Sequence, residues 1–249
     1  MVPAKLVTLS FFRYPRRQAW GAFLRMGFPG VIDRPTQRSG QLRLLGCGSG
    51  SGFSILPDFT RYCLMGVPER QEDLAGLRQT RLYRSVAGPS IEQLHFTVRP
   101  ARGHGSWDGE PLFDYSGHDV GGHPFAVLTL ASVAAKRVRS FWRQVPEVDR
   151  SLSEAAGCLW HVGFGSHPLL QLATFSIWEN MDAMGAFAYR DGQHPTAIRK
   201  ARGEDWLPES LFARFEIEAI EGDVDRYPGL AMLVASDRLR QPQALSIAS

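Results

Sequence analysis

Cysteine is scarce in this 249-residue chain, and the three present, Cys47, Cys63 and Cys158, are far apart and form no CxxC pair. That spacing excludes a disulfide framework, a four-cysteine zinc site and an iron–sulfur cluster held by one chain. It points to a reducing, cytoplasmic compartment. Lysine is equally scarce, with three among 28 basic residues. Arginine suits carboxylate and phosphate partners, but a GC-rich genome gives the same bias. The basic residues form no concentrated stripe and the net charge is only +3, so no nucleic acid is expected as a partner. The longest mostly apolar run, 124–135, is too short to cross a bilayer. The N-terminal stretch MVPAKLVTLSFFRY lacks the apolar core and cleavage site of a signal peptide. No GK[ST] phosphate loop and no GxSxG elbow is present.

What is there is ordinary for a soluble globular protein, at 44% hydrophobic and 21% charged residues. Strand patterns at 6–13, 41–45, 59–67 and 91–98 alternate with helical patterns at 16–26 and 71–86. The same β-α-β-β-α-β order then returns. Strands are expected at 125–131, 159–164, 170–178 and 211–220. Helices are expected at 134–145, continuing past Pro146 to 156, and at 181–190 with 195–202. The halves also echo locally, GCGSGSG (46–52) against GFGSHP (163–168) and LMGVPE (64–69) against FSIWEN (175–180). The expected fold class is therefore α+β: two tandem ferredoxin-like units packed as a single-chain dimeric α/β barrel. Residues 1–101 form the first unit, 102–124 a Gly/His-rich connector and 125–221 the second unit. Residues 222–249 are read as a polar tail on the surface. Ligand space would lie between sheet and helices.

His194 is the sharpest single feature. It sits at the helix break Asp191-Gly192, ahead of Pro195 and the cationic residues Arg199, Lys200 and Arg202. An imidazole there, with apolar residues before it and positive charge after it, is a candidate haem ligand, with the cations placed for propionates. The competing reading is a helix cap preceding a proline at the first helical position. His161 and His167 flank the 163–166 turn, and His161 is a candidate second ligand or distal group. His104, His118 and His123, with Asp108, Asp114 and Asp119, lack compact metal spacing and read as loop residues. The GCGSGSG run reads as a hairpin-type turn rather than a phosphate loop. Glu216 and Glu218 fall at period two on one strand face, the solvated one. No catalytic acid, base or nucleophile is identifiable.

The strings VTLSFFRY, LLGCGSGSGF and ATFSIWENMDAMGAFAY…HPTAIRKAR…W…ESLFARF resemble the spheroidene monooxygenases, bacterial carotenoid C2-ketolases, over about residues 6–220. The resemblance implies a haem b enzyme that uses O2 and an external ferredoxin to place a keto group at C2 of acyclic carotenoids. A membrane-dissolved substrate implies peripheral contact with the inner or intracytoplasmic membrane. The second unit is also similar in layout to haem-degrading monooxygenases of the dimeric α/β-barrel superfamily, whose proximal histidine falls where His194 stands. Arg84 occupies the corresponding place in the first unit, which implies one haem per chain. The alternatives are another haem enzyme on this fold, such as an aldoxime dehydratase or haem-degrading oxygenase, or a non-catalytic binder of haem or lipophiles.

Overall fold

The computed structural model describes residues 5–19, 21, 41–50, 54, 56–166, 170–190, 207–236 and 239. Eight strands form a closed antiparallel barrel: β1 (Val7–Arg13), β2 (Gln41–Gly48), β3 (Pro57–Val67), β4 (Glu92–Gly105), β5 (Phe125–Ser132), β6 (Cys158–Gly165), β7 (Gln171–Trp178) and β8 (Glu209–Gly222). Their order around the barrel is β1-β3-β2-β6-β7-β5-β8-β4. Helices α1 (Leu74–Leu77) and α2 (Arg81–Ala87) precede β4, α3 (Val138–Ser153) joins β5 to β6, α4 (Met181–Gly185) follows β7, and α5 (Pro228–Ala235) follows β8.

The period-two alternation fixes which face is which. On β8, Leu211, Ala213, Phe215 and Ile217 are buried, while Phe212, Arg214, Glu216 and Glu218 take the opposite face. The inward residues of all eight strands make one core, and its centre is aromatic. Phe11 lies edge-on to Phe96 (6.0 Å), Trp160 (5.3 Å) and Phe164 (5.9 Å), and Phe96 to Phe175 (5.2 Å). Each such pair adds about 0.5–1.5 kcal/mol beyond its buried area.

Both ends of the barrel are closed. At one end β4 runs on to Gly105, well past the strand end expected at 98, and the following turn inserts the fully buried Trp107 with Leu112 and Phe113. The Trp107 indole donates to Gln171 Oε1 at 3.2 Å, and the Arg43 guanidinium lies 5.0 Å over its ring. A side chain at Gly105 would come within 2.0 Å of the Ser210 carbonyl, so only glycine fits. At the other end α5 packs Leu230 and Leu233 into the core. Expected on the surface, this part of the tail is held because Tyr227 donates to the buried Glu92, which also pairs with Arg13 at 3.2 Å and Arg226 at 3.7 Å.

The other differences are local. The first glycines of GCGSGSG belong to β2, where Gly46 and Cys47 pair with Gly165 and Phe164 and so join the two halves. The helix expected over 71–86 is broken into a 3-10 turn, α1 and α2, because Thr80 turns extended and caps α2, accepting from the Tyr83 amide at 3.1 Å. The helix expected over 181–190 is α-helical for five residues and π-helical over Ala186–Arg190. Over the stretch expected as a 16–26 helix, Arg16–Gln18 form a 3-10 turn, and 22–40 lie outside the described residues. In the 64–69 versus 175–180 echo, Leu64 packs outside the barrel and Phe175 inside it, so the pairing is off by one residue.

His95, on the outer face of β4 beneath Tyr83, is buried and its Nδ1 has no hydrogen-bond partner. Burial, then the charge of Arg78, lowers its pKa from 6.5 to about 4, against the opposing pull of Glu221 and Asp223. Between those values the unfolded chain binds a proton that the folded chain refuses, so stability falls as pH drops through the window and levels off below it. Urea midpoints should decline from pH 6.5 toward 4, and His95→Gln should flatten the decline. A wild-type-like profile in the variant would contradict this.

Candidate active site

With the interior filled, ligand-sized surface lies outside the barrel. The outer faces of β6, β7, β5, β8 and β4 line up in rows set by the strand register. One row reads Gly163–Thr174–Thr129–Phe212–His104, and the next His161–Ser176–Val127–Arg214–Arg102. At about 4.8 Å per strand, Thr174 to His104 spans roughly 14 Å. The middle of this surface carries small side chains, and Thr129 is exposed although its strand is central.

Helix α3 covers the β7 side. Its Trp142 and Val145 pack on Leu172, and its Leu152 belongs to the cluster around Trp178. The turn after α4 covers one end, with Phe187 5.4 Å from Trp178 and Met184 in the same cluster. The strip over Thr129, Ala131, Ser210 and Phe212 stays partly or fully exposed. In the first half the equivalent face is filled, since Leu82 and Val86 of α2 pack on Phe12, Tyr62 and Leu64, and Arg84 is exposed.

The expected site residues divide clearly. His194, Arg199, Lys200, Arg202 and His167 lie outside the described residues. His161 is at the strip's edge but engaged by the protein: Nε2 is 3.6 Å from Asp149 and 3.5 Å from Ser153 Oγ, and Nδ1 is 4.0 Å from Cys158 Sγ. His104, read as a loop residue, is in β4 with its ring stacked on Phe212 at 5.8 Å. His118 and His123 are exposed, and no group of three or more His, Cys, Asp or Glu among the described residues could hold a metal ion. Burial pushes the Cys47 and Cys158 thiols up to about 12 and Cys63 well above its usual value, so all three are neutral. Glu216 and Glu218 are on the outer face as expected, and Glu218 accepts from Arg99 at 2.7 Å. An open groove of about 480 Å³ near Phe59 and Arg16 lies at the α5 end, away from this strip.

The strip's chemistry is a flat floor of small residues, an aromatic border and guanidinium groups at the β8–β4 side. That combination suits an apolar ligand that carries an anionic group. Sequence reasoning missed Thr129, Arg214 and Arg102, although the alternation in FARFEIE already put Phe212 and Arg214 on one face.

A spheroidene monooxygenase from Rubrivivax gelatinosus is 37% identical over 219 residues, covering 87% of this chain and 83% of its own length. Another, from Rhodobacter capsulatus, is 30% identical over 183 residues, covering 72% and 76%. The chain belongs to the spheroidene monooxygenase family. No family model matches the sequence. Among solved structures, an aldoxime dehydratase in complex with butyraldoxime superposes with a TM-score of 0.57 at 11% identity, covering 93% of this chain and 85% of that one. That likeness establishes a shared fold.

Filling the strip should block it without disturbing the core. Thr129→Trp, at an exposed position, should shift stability by no more than about 0.5 kcal/mol while blocking uptake, followed by absorption, of a porphyrin offered as a planar probe. Undiminished uptake would place the ligand elsewhere.

Proposed function

We propose that this member of the spheroidene monooxygenase family is a haem-dependent monooxygenase that introduces a C2 keto group into acyclic carotenoids, of the spheroidene-to-spheroidenone kind. Oxygen comes from O2 and electrons from an external reduced ferredoxin. The observation that carries the reading is the exposed outer strip around Thr129, flanked by the π-helical turn that ends four residues before His194. π-Turns recur at functional sites. In this proposal His194 would hold the haem iron, and Arg199, Lys200 and Arg202 would add positive charge on the propionate side.

Haem b, when bound, supplies the binding and activation of O2. The chain's own residues do the rest. Thr129 and Thr174 keep the floor low enough for a macrocycle. Phe212 and Phe187 offer apolar surface to a polyene end and keep water from it. Two successive hydroxylations at C2, each consuming one O2 and two electrons, give a geminal diol that loses water to the ketone.

The barrel itself we read as two tandem ferredoxin-like units. The strand order β4-β1-β3-β2 in the first half matches β8-β5-β7-β6 in the second, and Cys47 faces Phe164 at the seam, as a two-fold relation requires. Peripheral docking at the inner or intracytoplasmic membrane is part of the proposal. Leu56, Phe59, Ile91 and Met232 are exposed large hydrophobics, and Arg16 and Arg17 are exposed as well. No helix among the described residues is long and apolar enough to cross a membrane.

Absorption spectra of haem-supplemented wild type and His194→Ala test the cofactor and its ligand together. A Soret band that is lost or strongly shifted in the variant is expected, with carotenoid ketone formed by the wild type given reduced ferredoxin. Identical spectra would move the ligand away from His194. A wild type without a Soret band would overturn the haem reading.

A further inference from the structure

Arg214 of β8 and Arg102 of β4 stand directly opposite each other in the barrel register, on the outer face. Like charges in that position repel, and a fold tolerates them where something anionic sits between. No carboxylate among the described residues forms an ion pair with either one. Four other strand arginines have a carboxylate partner: Arg13 pairs with Glu92, Arg43 with Asp108, Arg61 with Asp58 at 3.9 Å although its Nε also lacks a hydrogen bond, and Arg99 with Glu218.

The hydrogen bonding of Arg214 is also incomplete. Its Nε is buried without a partner. One Nη reaches the Met181 thioether at 3.5 Å, a weak acceptor, and the guanidinium lies 5.9 Å from the centre of the Phe212 ring. Arg102 gives Nε to the Gly117 carbonyl at 3.2 Å and is otherwise exposed. His104, the next outward residue of β4, stacks on the other partner in the cluster, Phe212. Glu216 is two residues along β8 from Arg214 but makes no ion pair with it. A half-buried guanidinium with open donors is costly unless a charged acceptor completes it.

We propose that Arg214 and Arg102, with His104 beside them, form a pocket for two carboxylates, and that its occupant is the propionate edge of the porphyrin lying on the strip. This rests on the haem reading and deepens it. Guanidinium forks match carboxylates in bidentate geometry, and opposed side chains on neighbouring strands start only about 5 Å apart at Cβ. Two adjacent carboxylates are therefore within reach of both. The apolar body of the same ligand would extend over Phe212 and Thr129 toward Thr174.

The test compares haem with haem dimethyl ester, which keeps the macrocycle and iron but removes both negative charges. Soret titrations give the Kd of each for wild type, Arg102→Gln, Arg214→Gln and the double variant, with circular dichroism melts alongside. Wild type should prefer the diacid by roughly tenfold or more, the usual scale of a charge-assisted hydrogen bond. The double variant should lose most of that preference. Should the double variant fold poorly, Arg102→Gln alone, at an exposed position, must still narrow the preference. A wild type that binds both forms equally, or variants that keep the full preference, would overturn the carboxylate pocket while leaving the haem reading intact. A wild type with no Soret band for either form would overturn both.

Discussion

Close packing of aromatic rings inside the closed barrel is the constraint on which the rest depends. Phe11, Phe96, Trp160, Phe164 and Phe175 meet at centroid distances of 5.1–6.4 Å, and interiors packed to that density accept no ligand without losing contacts. Trp107 seals one end and Leu230 with Leu233 the other. The outer face, where each strand presents its alternate residues, is where the proposed ligand site lies.

The chemistry of the outer face is uneven. In the first half, α2 covers it with Leu82 and Val86, and His95 is buried there in neutral form. In the second half α3 covers only the β7 side and leaves Thr129 open. On the outer face Arg99 is matched by Glu218, whereas Arg214 and Arg102 beside the open strip have no carboxylate partner among the described residues. The two halves share a strand order and differ in what covers the sheet.

Much of this was legible in the sequence. Strand patterns located all eight strands, and the repeated β-α-β-β-α-β order anticipated a barrel. Strand ends were misread where tertiary pairing overrides local composition. Residues 99–105 look like a Gly- and Pro-bearing loop, yet β8 pairs with them and a bulge beside Pro100 absorbs the missing donor. The tail looked polar because its two core residues, Leu230 and Leu233, are spaced for a single helical turn, and the Glu92 latch that docks it is remote in sequence. His161 was read as a candidate second ligand or distal group, and its engagement by Asp149 was hidden because it depends on where α3 lands. The opposed arginines were invisible for the same reason: register between β4 and β8 joins residues more than a hundred positions apart.

The most direct test of the outer-face account is a crystal structure of the haem-loaded protein. The account predicts a macrocycle lying against Thr129 and Phe212 on the outside of β5 and β8, with the aromatic interior unchanged. Haem density inside the barrel, or in the groove beside Phe59, would contradict it.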